Sequence, residues 1–318
     1  MIITEFNIPT FIVPKSIYRI PELDIIYLPT SEPYIKTDYW NPSILTKLII
    51  TNRDNSFIKK VVRDFISFSN FLNMNHSQNV WFNDVSLIKT DKYEKIVKKP
   101  DDYIEELFSE PNWTHSVDYD KYPLHEASDE PSTINFKKEF IRYVELDKLG
   151  KDAIKIKNLI DYFSYIQSSF SVFNKTYDNI NLKVSNYFTL VEALINIDIK
   201  NQSGFIECPN CGEKMPRKKK MTELIKEFVA NKITDKEIEE IVSSILVKHY
   251  KLRNLFSHEA KFDTLDDNTE KLLKKIGRHT VFLEDDIKHT NGTLLGLMPI
   301  QAFLRIDLLE KMNSFFNK

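Results

Sequence analysis

The chain has 318 residues, 42% hydrophobic and 28% charged, with a net charge of −2. That length holds two domains with a sizeable core, and the mixture is that of a globular protein rather than a disordered one. No apolar run approaches the ~18–20 residues needed to span a bilayer. The opening Met-Ile-Ile-Thr-Glu-Phe-Asn-Ile-Pro lacks the basic segment and apolar stretch of a secretion signal. The two cysteines share one Cys208-Pro-Asn-Cys211 unit, which is no disulfide framework. A cytoplasmic protein with no membrane association is expected.

Taken in chain order, residues 17–20, 24–28 and 46–51 read as short strands among Pro9, Pro14, Pro21, Pro29, Pro33 and Pro42. Val80 to Ile88 reads as a further strand, and residues 56–71 suit a helix or a strand. Residues 1–137 are therefore expected to form a β-rich or mixed domain. It ends in an acidic connector over about 100–135, interrupted by Pro100, Pro111, Pro123 and Pro131. Residues 100–131 hold ten acids and one base, a net −9, so the rest of the chain carries +7. A basic body suits a polyanionic partner.

From about residue 136 proline is nearly absent and helical periodicity takes over. Helices are predicted over 138–149, 152–174, 183–199, 219–231, 235–258, 269–288 and 299–316, with Asp235 as an N-cap and Met298-Pro299 opening the last one. The predicted fold class is α+β: a helical bundle over 138–318, interrupted near 200–217 by the Cys-x-x-Cys segment, behind a smaller N-terminal domain.

The stretch from Lys248 to His258 separates two faces. With about 100° per residue and Leu252 at zero, Leu255 and Phe256 fall on the apolar side, roughly 300° and 40°. Ile238, Ile241, Val242, Ile245 and Leu246 continue that stripe. Arg253, Ser257, Tyr250, Asn254 and His258 form a polar arc from roughly 100° to 240°. His249, near 60°, reads as a partly buried structural residue.

Arg253-Asn254-x-x-x-His258 resembles the signature of the HEPN superfamily, an Arg and a polar residue followed by His on a late helix of an all-α bundle. Tyr187 to Ile197 is similar to an early helix of the Apea-like HEPN branch, which carries a Glu among aliphatic residues. The resemblance covers roughly 138–318. It implies a homodimer in which two Arg/His pairs face one cleft, and an endoribonuclease that acts in prokaryotic antiphage defence or as a toxin. The other domain would sense a regulatory partner or a phage-derived trigger.

The chemistry of those residue types fits that expectation. Metal-independent RNA cleavage needs a base for the ribose 2′-OH, an acid for the leaving oxygen and a cation for the phosphate. An imidazole serves as base or acid near neutral pH. A guanidinium grips phosphate with a planar fork. Asn254 is placed to bond the phosphate or the ring. The product would be a 2′,3′-cyclic phosphate, and DNA would be spared. Tyr250 and Ser257 are supporting candidates. Glu192 must face solvent or meet a cation, and in the family frame it would orient Arg253. No cofactor is expected for catalysis.

Lys251 and the run Arg217-Lys218-Lys219-Lys220 are candidate RNA contacts. Cys208 and Cys211, followed by Gly212, look like a zinc knuckle. Structural zinc needs two more ligands: histidines such as His249, or a second subunit's cysteines. A metal-free remnant is the remaining reading. Two rival functions stand beside the nuclease, a non-catalytic HEPN module binding RNA or protein and a zinc-knuckle regulatory protein.

Overall fold

A computed structural model describes residues 1–10, 12–13, 17–28, 35–36, 42–52, 54–72, 91–109, 125–126, 136–169, 177–199, 205–207, 211–212, 214–216, 219–259 and 292–317. The expected strand at 80–88 and helix at 269–288 lie outside the described residues. The chain forms two compact units, residues 1–173 with 308–318 and residues 174–307. The boundary expected after residue 137 thus falls later in the contact pattern. The helical segments 136–145 and 151–169 look like bundle helices by periodicity, but they bury their apolar faces within the sheet-containing unit.

In the first unit, β1 (Ile2–Thr10), β2 (Ile12–Val13), β3 (Tyr18–Ile20), β4 (Ile25–Tyr27), β5 (Ile35–Lys36) and β6 (Pro42–Ile50) precede helix α1 (Asn55–Leu72). Then follow β7 (Asp91–Ile96), α2 (Pro100–Ser109), β8 (His125–Glu126), α3 (Phe136–Glu145), a 3-10 turn at Leu146–Lys148 and α4 (Lys151–Ser169). The main sheet is antiparallel in the order β3-β4-β6-β1-β7, with β5 pairing the start of β6. Its register places Glu5 opposite Ile49 on one side and Tyr93 on the other.

Both faces of this sheet are covered, so its strands lack a clean polar alternation. On one face Ile3, Ile26, Leu28 and Ile49 cluster with Tyr103 and Ile104 of α2. The carboxylate of Glu5, only 4% exposed, sits on that face and is held by Lys47 and the Tyr103 hydroxyl. On the other face the Tyr27 ring stands 5.0 Å from Phe65 of α1. The ambiguous segment 56–71 is this helix. Ile58, Val61, Val62, Phe65, Phe68 and Leu72 are buried at spacings of three and four, and Asp54 Oδ1 caps it by accepting from Ser56 N at 2.8 Å.

The connector expected to be irregular contains α2, whose Tyr103 and Ile104 are buried, and β8, which pairs in parallel with β2. Acidic residues in the first turn of α2, Asp101 and Asp102, suit a helix N-terminus. High charge there marks a one-sided helix.

Helices α1 and α4 are joined by a closed ring of alternating charges. Asp64 Oδ2 accepts from Lys60 at 2.7 Å and Lys157 at 3.0 Å, and Asp147 Oδ2 lies 2.7 Å from both lysines. Beside it, Asp161 accepts from Tyr143 and from Ser67 Oγ. Lys157 is 3% exposed and also lies over the Tyr143 ring.

The second unit consists of α5 (Tyr177–Ile199), a hairpin of β9 (Phe205–Glu207) and β10 (Lys214–Pro216), α6 (Met221–Ala230), α7 (Lys236–Glu259) and α8 (Gly292–Ser314) as far as Asp307. Helices α5, α6 and α7 pack on one another, and Phe228 of α6 meets Phe303 of α8 edge-on at 5.4 Å. Helix α8 begins at Gly292 rather than at Met298-Pro299. Pro299 lies inside it, where its ring removes one N–H from the helical ladder. A mixed α and β architecture with a helical C-terminal part is therefore present. Among the described residues no helix is long and apolar enough to cross a membrane.

Candidate functional site

Helix α7 is fixed at its start by Asp235, whose Oδ1 accepts from the amides of Glu237 at 2.9 Å and Ile238 at 3.1 Å. From there Ile241, Val242, Ile245, Leu246 and Leu252 are buried. Ile238 departs from the expected stripe. It is 45% exposed, whereas the apolar positions from Ile241 onward are covered. On α5 the buried stripe is Val184, Tyr187, Phe188, Val191, Leu194 and Ile195. Packing these stripes together sets the register between Glu192 and Arg253.

That register brings Arg253 Nη2 within 3.5 Å of Glu192 Oε2, with the two side chains 25% and 27% exposed. Arg253 Nη1 also donates to Asn254 Oδ1 at 3.3 Å. A guanidinium has five N–H donors in a planar fork. The hydrogen bond to Asn254 and the ion pair with Glu192 orient the guanidinium from two sides. The Tyr250 ring packs 5.2 Å from Phe188. Lys251 and His258 are exposed, His258 in the last turn of α7. Ser257 belongs to the same turn, and its side chain lies outside the described residues.

Arg253 and His258 differ by five positions, about 140° around and ~7.5 Å along the helix. They therefore present a cation and an imidazole on neighbouring sectors of one helix end, wider than a single hydrogen-bonded pair. Such spacing suits contact with an extended anion.

His249 is 1% exposed, and its Nδ1 donates to the Ile245 carbonyl at 2.8 Å. This is the structural position expected from its angle, more fully buried than anticipated. Below it the bundle holds polar groups that periodicity did not reveal. Gln301 Nε2 donates to the Tyr187 hydroxyl at 2.9 Å, and burial pushes that phenol well above its ordinary range. Arg305 is 3% exposed, and burial pulls its guanidinium down to about 9, against the opposing influence of Tyr187. Lys232 lies 3.1 Å from Asp198 and 2.5 Å from Asp307. Burial works against its charge, but the two carboxylates outweigh it and raise its pKa. The available signal was polar residues at positions where the α8 stripe demands apolar ones.

Of the basic run, Arg217 and Lys218 lie outside the described residues. Lys220 is exposed, whereas Lys219 is engaged by Glu227 at 2.5 Å. That pair holds Lys219 against α6, so of the four only Lys220 is seen exposed to solvent. Cys208 also lies outside the described residues. Cys211 is a free, exposed thiol in the turn of the β9–β10 hairpin, followed by Gly212 at φ +71°. Glycine takes this left-handed backbone at no steric cost. Among the described residues no group of three or more His, Cys, Asp and Glu side chains could hold a metal.

A depression of about 460 Å³ lies elsewhere, in the first unit, lined by Lys137, Lys138, Ile141, Arg142, Glu145 and Phe316. Its three cations face three acids: Glu145 in the lining, Glu22 near Lys137 at 3.7 Å and Glu139 near Arg142 at 3.6 Å. It has no charge preference for an anion and no titratable pair suited to catalysis. The exposed end of α7 is the better candidate. No protein-family model matches the chain, and no curated protein or solved structure is significantly similar to it.

Proposed function

We propose that the protein is a metal-independent endoribonuclease of the HEPN superfamily, similar to the Apea-like branch. Arg253 stabilises the scissile phosphate, His258 acts as base or acid, and Asn254 bonds the phosphate or the ring. Glu192 orients Arg253. The observation that supports this reading is the Glu192–Arg253 ion pair, which links the two segments that carry the family resemblance. Lys251 and Lys220 contribute electrostatic attraction for RNA.

One imidazole does not readily serve as both base and acid in a single step. A homodimer supplies two Arg253/His258 pairs to one scissile bond. The reaction is attack of the ribose 2′-oxygen on the adjacent phosphorus, expelling the 5′-oxygen and leaving a 2′,3′-cyclic phosphate. In this reading the protein is cytoplasmic, serves antiphage defence or acts as a toxin, and responds through its first unit to a partner or trigger. Zinc bound at Cys208 and Cys211 would be structural.

Incubation with total cellular RNA in EDTA tests this. Wild-type protein is expected to leave cyclic-phosphate ends, and His258→Ala is expected to remain folded and dimeric but inactive. Retarded RNA without cleavage would instead favour a binding module. Activity or folding that tracks zinc content would favour the knuckle as the functional centre.

A further inference from the structure

We infer that the face of the main sheet beneath α2 is a docking site for acidic amphipathic helices, with α2 as its resident occupant and a helix of a partner protein as the competitor that displaces it. The residues on that face are fixed by register. Ile3 stands opposite Lys95, Ile26 opposite Arg19 and Ile49 opposite Glu5, and residues directly opposite share a face. Lys47, two positions before Ile49, lies on it as well. The face therefore combines an apolar centre of Ile3, Ile26 and Ile49 with a cation from each of β3, β6 and β7.

Helix α2 answers that pattern. Pro100–Ser109 contains Asp101, Asp102, Glu105 and Glu106 and no base. Asp101 Oδ1 accepts from Arg19 Nη2 at 2.5 Å, and Glu106 accepts from Lys95 Nζ at 2.7 Å. The Tyr103 hydroxyl donates to Glu5, whose other oxygen accepts from Lys47. Between the two ion pairs Tyr103 and Ile104 are buried against the apolar centre. At about 100° per residue, Asp101 and Glu106 flank that buried pair by about 60° on either side. Arg19 and Lys95 belong to β3 and β7, the outermost strands of the sheet among the described residues, so α2 is fastened toward both ends of the strand order.

A helix that served as plain cover would need no cations beneath it. Cations turned toward a covering element lose hydration and require carboxylates in return. The face thus selects for an acidic helix rather than for any apolar one. Its fastenings are also exchangeable, because ion pairs at exposed carboxylates such as Asp101 and Glu106 hold weakly and are screened by salt. A helix with carboxylates five positions apart, and an aromatic and an aliphatic residue between them as in Asp101 to Glu106, makes the same contacts. The inference concerns the first unit alone and does not rest on the nuclease reading.

The test uses the full chain and a labelled peptide with the sequence of residues 98–109, followed by fluorescence anisotropy. Asp101→Lys/Glu106→Lys in the chain turns both ion pairs repulsive and frees the face, so the peptide should bind this variant about tenfold or more tighter than wild type. Adding Lys95→Glu to that variant should weaken the peptide about tenfold, and a peptide carrying Glu106→Lys should recover the loss. A second measurement needs no variant. Hydrogen exchange at the α2 amides of wild type should run ahead of exchange in β1 and β6, and should accelerate between about 50 mM and about 500 mM salt. Absence of peptide binding to both wild type and the released variant overturns the inference, as does binding indifferent to Lys95→Glu. So does α2 exchange that keeps pace with β1 at every salt concentration. An RNA oligonucleotide that displaces the bound peptide at equal concentration would assign the face to nucleic acid and overturn the helical partner.

Discussion

Glu192 on α5 holds Arg253 on α7 at 3.5 Å, with each side chain about a quarter exposed. A pair this open contributes little to folding, about 0–1 kcal/mol. In the proposed nuclease its value would lie in aiming the guanidinium. Glu192→Gln is therefore expected to lower Tm only slightly while cutting RNA cleavage about 10–100-fold, as small misplacements of a catalytic group do. Single-turnover cleavage beside thermal unfolding measures both. Full cleavage by Glu192→Gln would show that Arg253 needs no such guide.

The ring of Lys60, Asp64, Asp147 and Lys157 makes the opposite prediction. Lys157 is 3% and Asp64 1% exposed, so removing one partner strands a buried charge. Lys157→Met should destabilise the first unit by about 3 kcal/mol, measured as a lowered denaturant midpoint. It should leave RNA cleavage per folded molecule unchanged. A loss below about 0.5 kcal/mol, the usual range of a surface change, would mean that Lys60, with Arg63 at 3.2 Å from Asp64, satisfies the carboxylates without it.

The Glu192–Arg253 pair and the four-residue ring also show what the sequence could disclose. Helix α7 and its cap were legible because Asp235 precedes a long, one-sided apolar stripe. Helix α1 was ambiguous, since apolar residues there recur at both spacings. Strand β1 was missed because both sheet faces are covered, leaving Ile3 and Phe6 buried on opposite sides with Glu5 between them. Strand β7 was missed for the converse reason: it is the outermost strand among the described residues and is rich in charge. The charged ring was hidden because Asp64, Asp147 and Lys157 look solvated until three helical segments converge. Lys157 between Ile156 and Ile160 on the buried side of α4 was the one clue. At the candidate site, Arg253 and His258 came from a local motif, whereas the pairing of Arg253 with Glu192 depended on the register of α5 against α7.

The same ring sets a pH dependence. Burial raises the Asp147 carboxyl, but Lys157 and Lys60 outweigh it and hold it below the ordinary carboxylate range. Its stabilisation is complete above the unfolded value near 3.9 and disappears as pH falls through the lower folded value. For Lys60, burial opposes the charge while Asp147 and Asp64 raise its pKa. That contribution is complete below the unfolded value near 10.4 and is lost as pH rises through the higher folded one. Asp147→Asn should therefore unfold at lower temperature than wild type near pH 7, with the gap closing below about pH 4. Thermal unfolding followed across pH checks this, and a gap that persists unchanged into acid would contradict it.

The cap of α7 allows stability and site chemistry to be separated. Asp235 Oδ1 accepts from two amides, at 2.9 and 3.1 Å, and its carbonyl accepts from Glu239 N at 2.9 Å. Removing the carboxylate leaves two first-turn donors to water. Asp235→Ala should then cost about 1 kcal/mol, and Asp235→Ser should recover most of it, because a hydroxyl at the N-cap accepts the same bond. Arg253 lies about 27 Å farther along the helix, beyond the buried run from Ile241 to Leu252. Fraying of the first turn, where Ile238 is already exposed, stops at that run. Cleavage at a temperature well below Tm should thus be the same for Asp235→Ala, Asp235→Ser and wild type. A cleavage loss that followed the cap would mean that α7 moves as one lever, with its two ends coupled through the stripe packed on α5.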